Sequence, residues 1–375
     1  MEPVTHMLAG GCLARAGLNR KAAYATLTMV VAAEFPDIDT LWGLRGPVES
    51  FQHHRGITHT FLGLPLEAAM LVGAVYGWHR WRLARAGARP VDPLRPAKAL
   101  TAGPLRWGVL YGLALVALLS HLLLDYTNNY GLRPFFPFDR HWYAASIVFI
   151  FDPAIFGLLL VGLVAPALFG LIGSEVGAKK VIFRGQGWAI AALVGVCGLW
   201  GLRVEEHGRA VAVAMAQSIK APVGSELPEE EAAPIYLGAQ RVLATPDPLS
   251  PFRWSTVTDF GPLYQLAEVD TRNGALTPGE TTYPKPSREA AVLAAEGSPL
   301  GRAFIDWSPM PIVEVAKPGS DSEAPDQQTV VTFRDPRFMG GWMGSTGRSA
   351  LAGAVTLDAA GRVVRQTMGG RVEPR

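Results

Sequence analysis

Cysteine is nearly absent from this 375-residue chain. The two present, Cys12 and Cys197, lie far apart in apolar stretches and form no CxxC pair, which excludes a disulfide framework or a zinc-thiolate site. Charge is also scarce. Only 18% of residues are charged, against roughly 25% in soluble domains. The net charge of +2 comes from scattered basic residues, so no nucleic-acid groove and no nucleic-acid partner is expected. Residues 1–10 already contain Glu2 and His6 and lack the basic and apolar regions of a secretory signal, so none is expected. Histidine is sparse too: there are eight, and seven of them precede residue 142.

Apolar residues are what the chain has in quantity, at 49%. Residues 107–124 and 187–202 carry no formal charge, 143–172 carry only Asp152, and 60–78 carry only Glu67. These runs bracket the roughly 20 residues a helix needs to cross about 30 Å of hydrocarbon. Two shorter runs, 7–18 and 22–35, read as a helical hairpin or re-entrant pair. The expectation is a polytopic α-helical membrane domain of about five to six hydrophobic helices over residues 1–204. The loops orient it. Arg80, Arg82, Arg85, Arg89, Arg95, Lys98 and Arg106 fill one connection, Lys179, Lys180 and Arg184 another, and Arg15, Arg20 and Lys21 the bend of the first pair. Positive charge marks these as cytoplasmic. Loops 40–57 and 127–142 then face outward, followed by the C-terminal part.

Beyond residue 204 the composition changes. Residues 205–225 read as a helix and the start of a linker, which continues through "VGSELPEEEAAP". Residues 226–375 read as a small β-rich α+β soluble domain outside the membrane. Its alternating segments are "RWSTVTDF", "YQLAEVDT", "PIVEVAK", "QTVVTFRD" and "GAVTLDAAGRVVRQT". One helix interrupts them at "SREAAVLAAEG", where Ser287 can cap and Gly297 can terminate.

The outward face collects the chemistry. "EFPDID" delivers Asp37 and Asp39 there, "HHRGITHT" places His54 and His59 at the mouth of the next run, and His6 starts the first helix. His121 and Asp125 of "SHLLLDYTNNYG" are four apart and project from one helix face. Asp152 of "FIFDP" is expected about ten residues into the following helix, some 13 Å deep by helical rise. Neutral imidazoles with carboxylates suit zinc, manganese or iron(II), and an open position on such an ion lowers the pKa of bound water. Arg55 is placed to clamp an anionic oxygen. Of the other histidines, His53 is at best a supporting residue, His79 and His141 are interfacial and His207 belongs to the linker.

In order and spacing, "THMLAG", "PDID", "HHRGITHT", "SHLLLDYTNNYG", "PFFPF" and "FIFDP" resemble the inner-membrane metal-dependent hydrolase family also described as LexA-binding. The likeness covers residues 4–160. It departs only at Thr60, where Ser is usual, and the hydroxyl is kept. It implies a bacterial inner (cytoplasmic) membrane protein with a divalent metal, zinc before manganese or iron, held by His6, Asp37, Asp39, His54, His59, His121, Asp125 and Asp152. A carboxylate of the Asp37–Asp39 pair that does not ligate acts as general base. Membrane lipid is the expected partner and a lipid or lipid-linked phosphoester the expected substrate. The alternative is a membrane-anchored binding or scaffold protein with a structural metal; a transporter would show internal repeats or paired broken helices, and neither is visible.

Overall fold

Proline fixes where four of the helices begin: Pro3, Pro47, Pro153 and Pro299 each occupy a first helical position, where the missing N–H costs nothing and the fixed φ is already helical. The computed structural model describes residues 1–86, 99–175, 185–221, 235–317, 328–339 and 351–374. Its first helices are α1 (Pro3–Arg15), α2 (Ala25–Ala32), α3 (Pro47–His53), α4 (Leu64–Ala86), α5 (Trp107–Thr127), α6 (Pro153–Glu175) and α7 (Gln186–Met215). Two compact units emerge, one of residues 1–39 and 55–202, the other of residues 40–54 and 203–375.

In the first unit, three helices among the described residues are long and apolar enough to cross a membrane: α5, α6 over Pro153–Gly170, and α7. A fourth is reached only if Leu64–Arg85 is taken together with the bent segment before it. This is fewer than the five to six expected. The shortfall lies in the run 60–78, whose helix passes only with that bent segment, and in the first two apolar runs, which fold as helices of 13 and 8 residues, about 20 and 12 Å long. They pack as a hairpin, the first of the two arrangements read from the sequence. At Gly10 a Cβ would stand 2.5 Å from the Met29 carbonyl oxygen, so the close approach of α1 to α2 requires glycine. Ala14, Met29, Ala32 and Ala33 continue the seam against Ala114, Ala117 and Leu118 of α5. Cys12 and Ala9 pack on Ile155 and Leu159 of α6.

The apolar run 143–172 is also not one helix. Residues up to 152 run as irregular chain tied by isolated bridges, Leu132 to Tyr143 and Asn128 to Val148. The helix starts at Pro153, because Asp152 Oδ1 accepts from the backbone N–H of Ala154 and of Ile155, both at 3.0 Å. Asp152 therefore sits at a helix N-terminus rather than ten residues inside one. Arg89, Arg95, Lys98, Lys179, Lys180, Arg184 and the linker "VGSELPEEEAAP" lie outside the described residues.

The second unit is β-rich. A strand pair, β1 (Ser218–Lys220) with β2 (Tyr236–Gly238), precedes a four-stranded antiparallel meander of β3 (Arg241–Pro246), β4 (Arg253–Asp259), β5 (Leu263–Asp270) and β6 (Ala275–Pro284). Helices α8 (Ala290–Glu296) and α9 (Pro299–Trp307) follow. A five-stranded meander of β7 (Ile312–Ala316), β8 (Thr329–Arg334), β9 (Gly353–Leu357), β10 (Val363–Met368) and β11 (Arg371–Val372) closes the chain. All five alternating segments read from the sequence are strands here. The single expected helix is a pair: α8 begins after Glu289 rather than at Ser287, and α9 follows with Ser298 Oγ accepting from the Gly301 N–H at 3.0 Å.

Residues 40–54, read from the sequence as part of an outer loop, join this unit through α3. Phe51 packs edge-on to Trp307 with ring centroids 5.4 Å apart and lies 5.9 Å from Phe304. Gln52 donates to the Pro299 carbonyl at 2.8 Å, and Val48 N–H donates to the Glu373 carboxylate at 2.7 Å. Phe304, fully buried, also meets Phe333 of β8.

Phe304 is the keystone of that cluster. Phe304→Ala should cost about 3–5 kcal/mol, whereas Leu293→Ala, at a half-exposed position, should stay within about 0.5 kcal/mol. Hydrogen exchange of the β8 amides in the full-length protein checks both values.

Candidate metal centre

Four donor atoms from three segments of the first unit meet in one place: Asp37 from the turn after α2, His59 from the turn before α4, and His121 with Asp125 from one face of α5. His59 Nε2 lies 3.1 Å from His121 Nε2, 3.2 Å from Asp37 Oδ1 and 3.5 Å from Asp125 Oδ2. His121 Nε2 lies 3.5 Å from Asp125 Oδ2 and 3.7 Å from Asp37 Oδ1. Ligands about 2.0–2.1 Å from a tetrahedral zinc ion stand about 3.4 Å apart. The five separations scatter around that value.

The imidazoles are turned for this purpose. His121 Nδ1 is 2.8 Å from the Ala33 carbonyl oxygen, an acceptor only, so Nδ1 carries the proton and a neutral ring presents its Nε2 lone pair inward. His59 Nδ1 is 3.3 Å from Asp39 Oδ2, the carboxylate–imidazole arrangement that orients a ligating ring. Two inward lone pairs 3.1 Å apart repel unless a proton or cation lies between them. Among the described residues, Asp125 Oδ2 is buried beside them with no hydrogen-bond donor, a costly state for an ionised oxygen. The residues present therefore fit a divalent cation.

Asp125 is held from its other side. Its Oδ1 accepts from Arg55 Nη2 at 2.8 Å and Asn128 Nδ2 at 3.1 Å, and contacts the Met1 amino group. Arg55 also donates through Nη1 to the Gly131 carbonyl at 2.5 Å and to Asn128 Oδ1 at 3.3 Å, with its guanidinium over the Tyr130 ring. The backbone bends to place it: Arg55 adopts φ 55°, in the left-handed region, and its N–H donates to Asp39 Oδ2 at 2.7 Å. A guanidinium so engaged positions Asp125. It differs from the anion clamp expected from the sequence.

Of the remaining sequence candidates, His6 stacks on the His121 ring at 3.8 Å with its Nε2 3.5 Å from Asp125 Oδ1. It braces the set of four. Asp39 holds His59 and the Arg55 backbone. His54 is the C-terminal cap of α3 and belongs to the second unit, and Asp152 caps α6. His79 receives or donates a 2.8 Å hydrogen bond with the Tyr24 hydroxyl. Sequence reasoning missed Asn128, whose Oδ1 also accepts from the Tyr130 and Gly131 N–H groups. The Asn-Asn-Tyr-Gly turn was the available signal.

Two acids beside the centre have displaced titrations. Burial alone would raise the Asp37 carboxyl, but the His59 and His121 imidazoles beside it hold it below the usual carboxylate range. Glu34, three residues earlier, is pushed up to about 8 by burial and by the neighbouring Asp37 charge.

Purified protein should carry one divalent ion per chain that is lost in His59→Ala, His121→Ala and Asp125→Ala and kept in His79→Ala. Arg55→Ala should weaken metal affinity about 10–100-fold by releasing Asp125. Elemental analysis with competitive chelator titration gives both quantities; equal content in all variants would rule out this centre.

Known proteins now bear on the same residues. A family model described as the YdjM inner membrane protein matches residues 1–209. The chain is 24% identical over 164 residues to the uncharacterized protein YfhP of Bacillus subtilis (strain 168), covering 42% of this chain and 43% of YfhP, less than half the length of that curated relative. No solved structure matches the chain. More than half of the sequence, including every residue of the His/Asp centre, falls within the family match, and the chain belongs to the YdjM inner membrane protein family.

Proposed function

We propose that the protein is a membrane-bound, metal-dependent hydrolase acting on a lipid or lipid-linked phosphoester at the outer membrane–water interface. The observation that carries the reading is the set of five donor separations between 3.1 and 3.7 Å around two inward-facing imidazole nitrogens and an uncovered carboxylate oxygen. Zinc is the ion that two imidazoles and two monodentate carboxylates suit best, with manganese or iron(II) next. Such an ion supplies a Lewis acid that polarises an ester oxygen and lowers the pKa of water.

The chain's own residues divide the remaining work. His59, His121 and Asp125 have fully buried side chains, while Asp37 is 11% exposed and marks the accessible side. Glu34, half-buried three residues before Asp37 and pushed up by burial and by the Asp37 charge, is assigned here to general acid–base work. Arg55, Asn128 and Asp39 keep the ligands turned inward.

Orientation belongs to the same proposal. The basic connection after α4 faces the cytoplasm, the chain crosses the membrane several times, and the second unit lies outside.

In a panel of lipid phosphoesters, hydrolysis by the full-length protein should vanish with chelator, return with zinc or manganese, and be absent in His121→Ala. Glu34→Gln should keep its metal and lose about 10²-fold or more in turnover. A metal-loaded wild type with no chelator-sensitive hydrolysis across the panel would replace this reading with a membrane-anchored scaffold whose metal is structural. For orientation, a C-terminal alkaline phosphatase fusion should be active and a C-terminal fluorescent reporter that folds only in the cytoplasm should be dark; the reverse pattern overturns the topology.

A further inference from the structure

Beside the metal centre, α5 presents a second face that the ligands do not use. Every third or fourth residue from Leu119 to Tyr126 lines a groove of about 360 Å³, closed on its other side by Phe61, Leu132 and Phe135. The lining is almost entirely hydrocarbon, and the Phe61 and Phe135 rings lie 5.5 Å apart. Leu119, Leu123, Tyr126, Phe61 and Phe135 are each between 43% and 49% exposed. In water a concave patch of this kind would be a liability. On a helix that crosses a bilayer the medium itself offers hydrocarbon to fill it.

The groove shares its walls with the site. Phe61 follows His59 by two residues, Tyr126 follows Asp125, and Leu132 follows Gly131, whose carbonyl accepts from Arg55. By a helical rise of about 1.5 Å per residue, its α5 wall spans the same depth as His121 and Asp125. The wall opposite α5 is fixed: Phe61 N–H donates to the Pro134 carbonyl at 3.0 Å, and Leu132 and Tyr143 exchange backbone hydrogen bonds of 2.9 and 2.8 Å. A preformed, uncharged channel at ligand depth accepts a long hydrocarbon chain and rejects a headgroup.

We infer that this groove binds the hydrocarbon chain of the lipid phosphoester whose polar end reaches the metal centre. The inference rests on the hydrolase reading for the chemistry at the chain's polar end, and on the groove alone for the chain. An acyl chain and a prenyl chain share the required chemistry. Remote binding energy of this kind is what makes a lipid enzyme discriminate long-chain from chainless esters.

The test uses full-length protein in phosphatidylethanolamine–phosphatidylglycerol vesicles carrying either a phosphatidylglycerol with a diazirine on one acyl chain or a diazirine-bearing polyprenyl phosphate. Photolysis should concentrate adducts on Phe61, Leu123 and Phe135, and Leu123→Trp, which fills the groove, should reduce them about tenfold. The probe that labels more heavily identifies the chain type. Adducts spread evenly onto Val161 and Val164, exposed on α6, and indifferent to Leu123→Trp would overturn the chain site. Metal content of Leu123→Trp and of a second variant, Leu119→Trp, should equal wild type and shows that the fold is retained.

Hydrolysis separates the two readings. Against a long-chain phosphoester Leu123→Trp should raise KM about tenfold or more, and against bis(4-nitrophenyl) phosphate it should change nothing. Groove labelling without hydrolysis of either substrate would sink the hydrolase reading and leave the chain site standing. Hydrolysis of both with an unchanged KM in the variant would sink the chain site and leave the hydrolase.

Discussion

The arrangement of the first unit depends on one carboxylate. Asp125 sits fully buried on α5 with Arg55 and Asn128 on one oxygen and two imidazoles facing the other. Burying an ionised carboxylate is strongly unfavourable unless charge and hydrogen bonds offset it. Here the offset comes in two parts: a guanidinium fixed by the 128–131 turn, and space for a cation among His59, His121 and Asp37. With the Met1 amino group and Asn128 also on Oδ1, these contacts tie the turn before α4, the end of α5 and the turn after α2 to the same carboxylate.

That coupling accounts for local features that otherwise look expensive. Arg55 takes a left-handed backbone conformation because its N–H must reach Asp39 while its side chain reaches Asp125. The short α1–α2 hairpin places the Ala33 carbonyl where His121 Nδ1 can donate to it and brings His6 flat against the same ring. Gly10 lets the two helices approach closely enough for this. The His/Asp cluster and the packing of the hairpin are thus the same structure seen from two sides, and the apolar groove occupies the neighbouring face of α5 at the same level.

The sequence carried much of this and misled in definable places. The i, i+4 pair on α5 and the carboxylates of "PDID" were legible because helical spacing and a proline stop dictate where they project. Asp152 was misplaced because the apolar run was read as one helix, whereas its Asp152-Pro153 pair marks where the helix begins. Arg55 was assigned to substrate because sequence shows that an arginine is near the site but not that its Nη atoms are held by Asp125, Asn128 and Gly131. The two shortest apolar runs were ambiguous for a physical reason: 12 to 14 apolar residues describe a buried hairpin as well as a re-entrant pair. Segment 40–54 was beyond reading, since its allegiance to the β-rich unit rests on the tertiary contacts of Phe51, Gln52 and Val48. The helix α9 was hidden by Gly297 and Pro299, which read as a break although Ser298 and Pro299 together form a helix start.

The central claim is that two imidazole nitrogens and two carboxylate oxygens close around a divalent cation. X-ray absorption at the metal edge of the full-length protein tests it most directly. The account expects a stoichiometric ion with four or five nitrogen and oxygen neighbours at about 2.0–2.2 Å and the outer-atom scattering of two imidazole rings. A spectrum with sulfur neighbours, with no imidazole scattering, or a chelator-free preparation holding no divalent ion would contradict it.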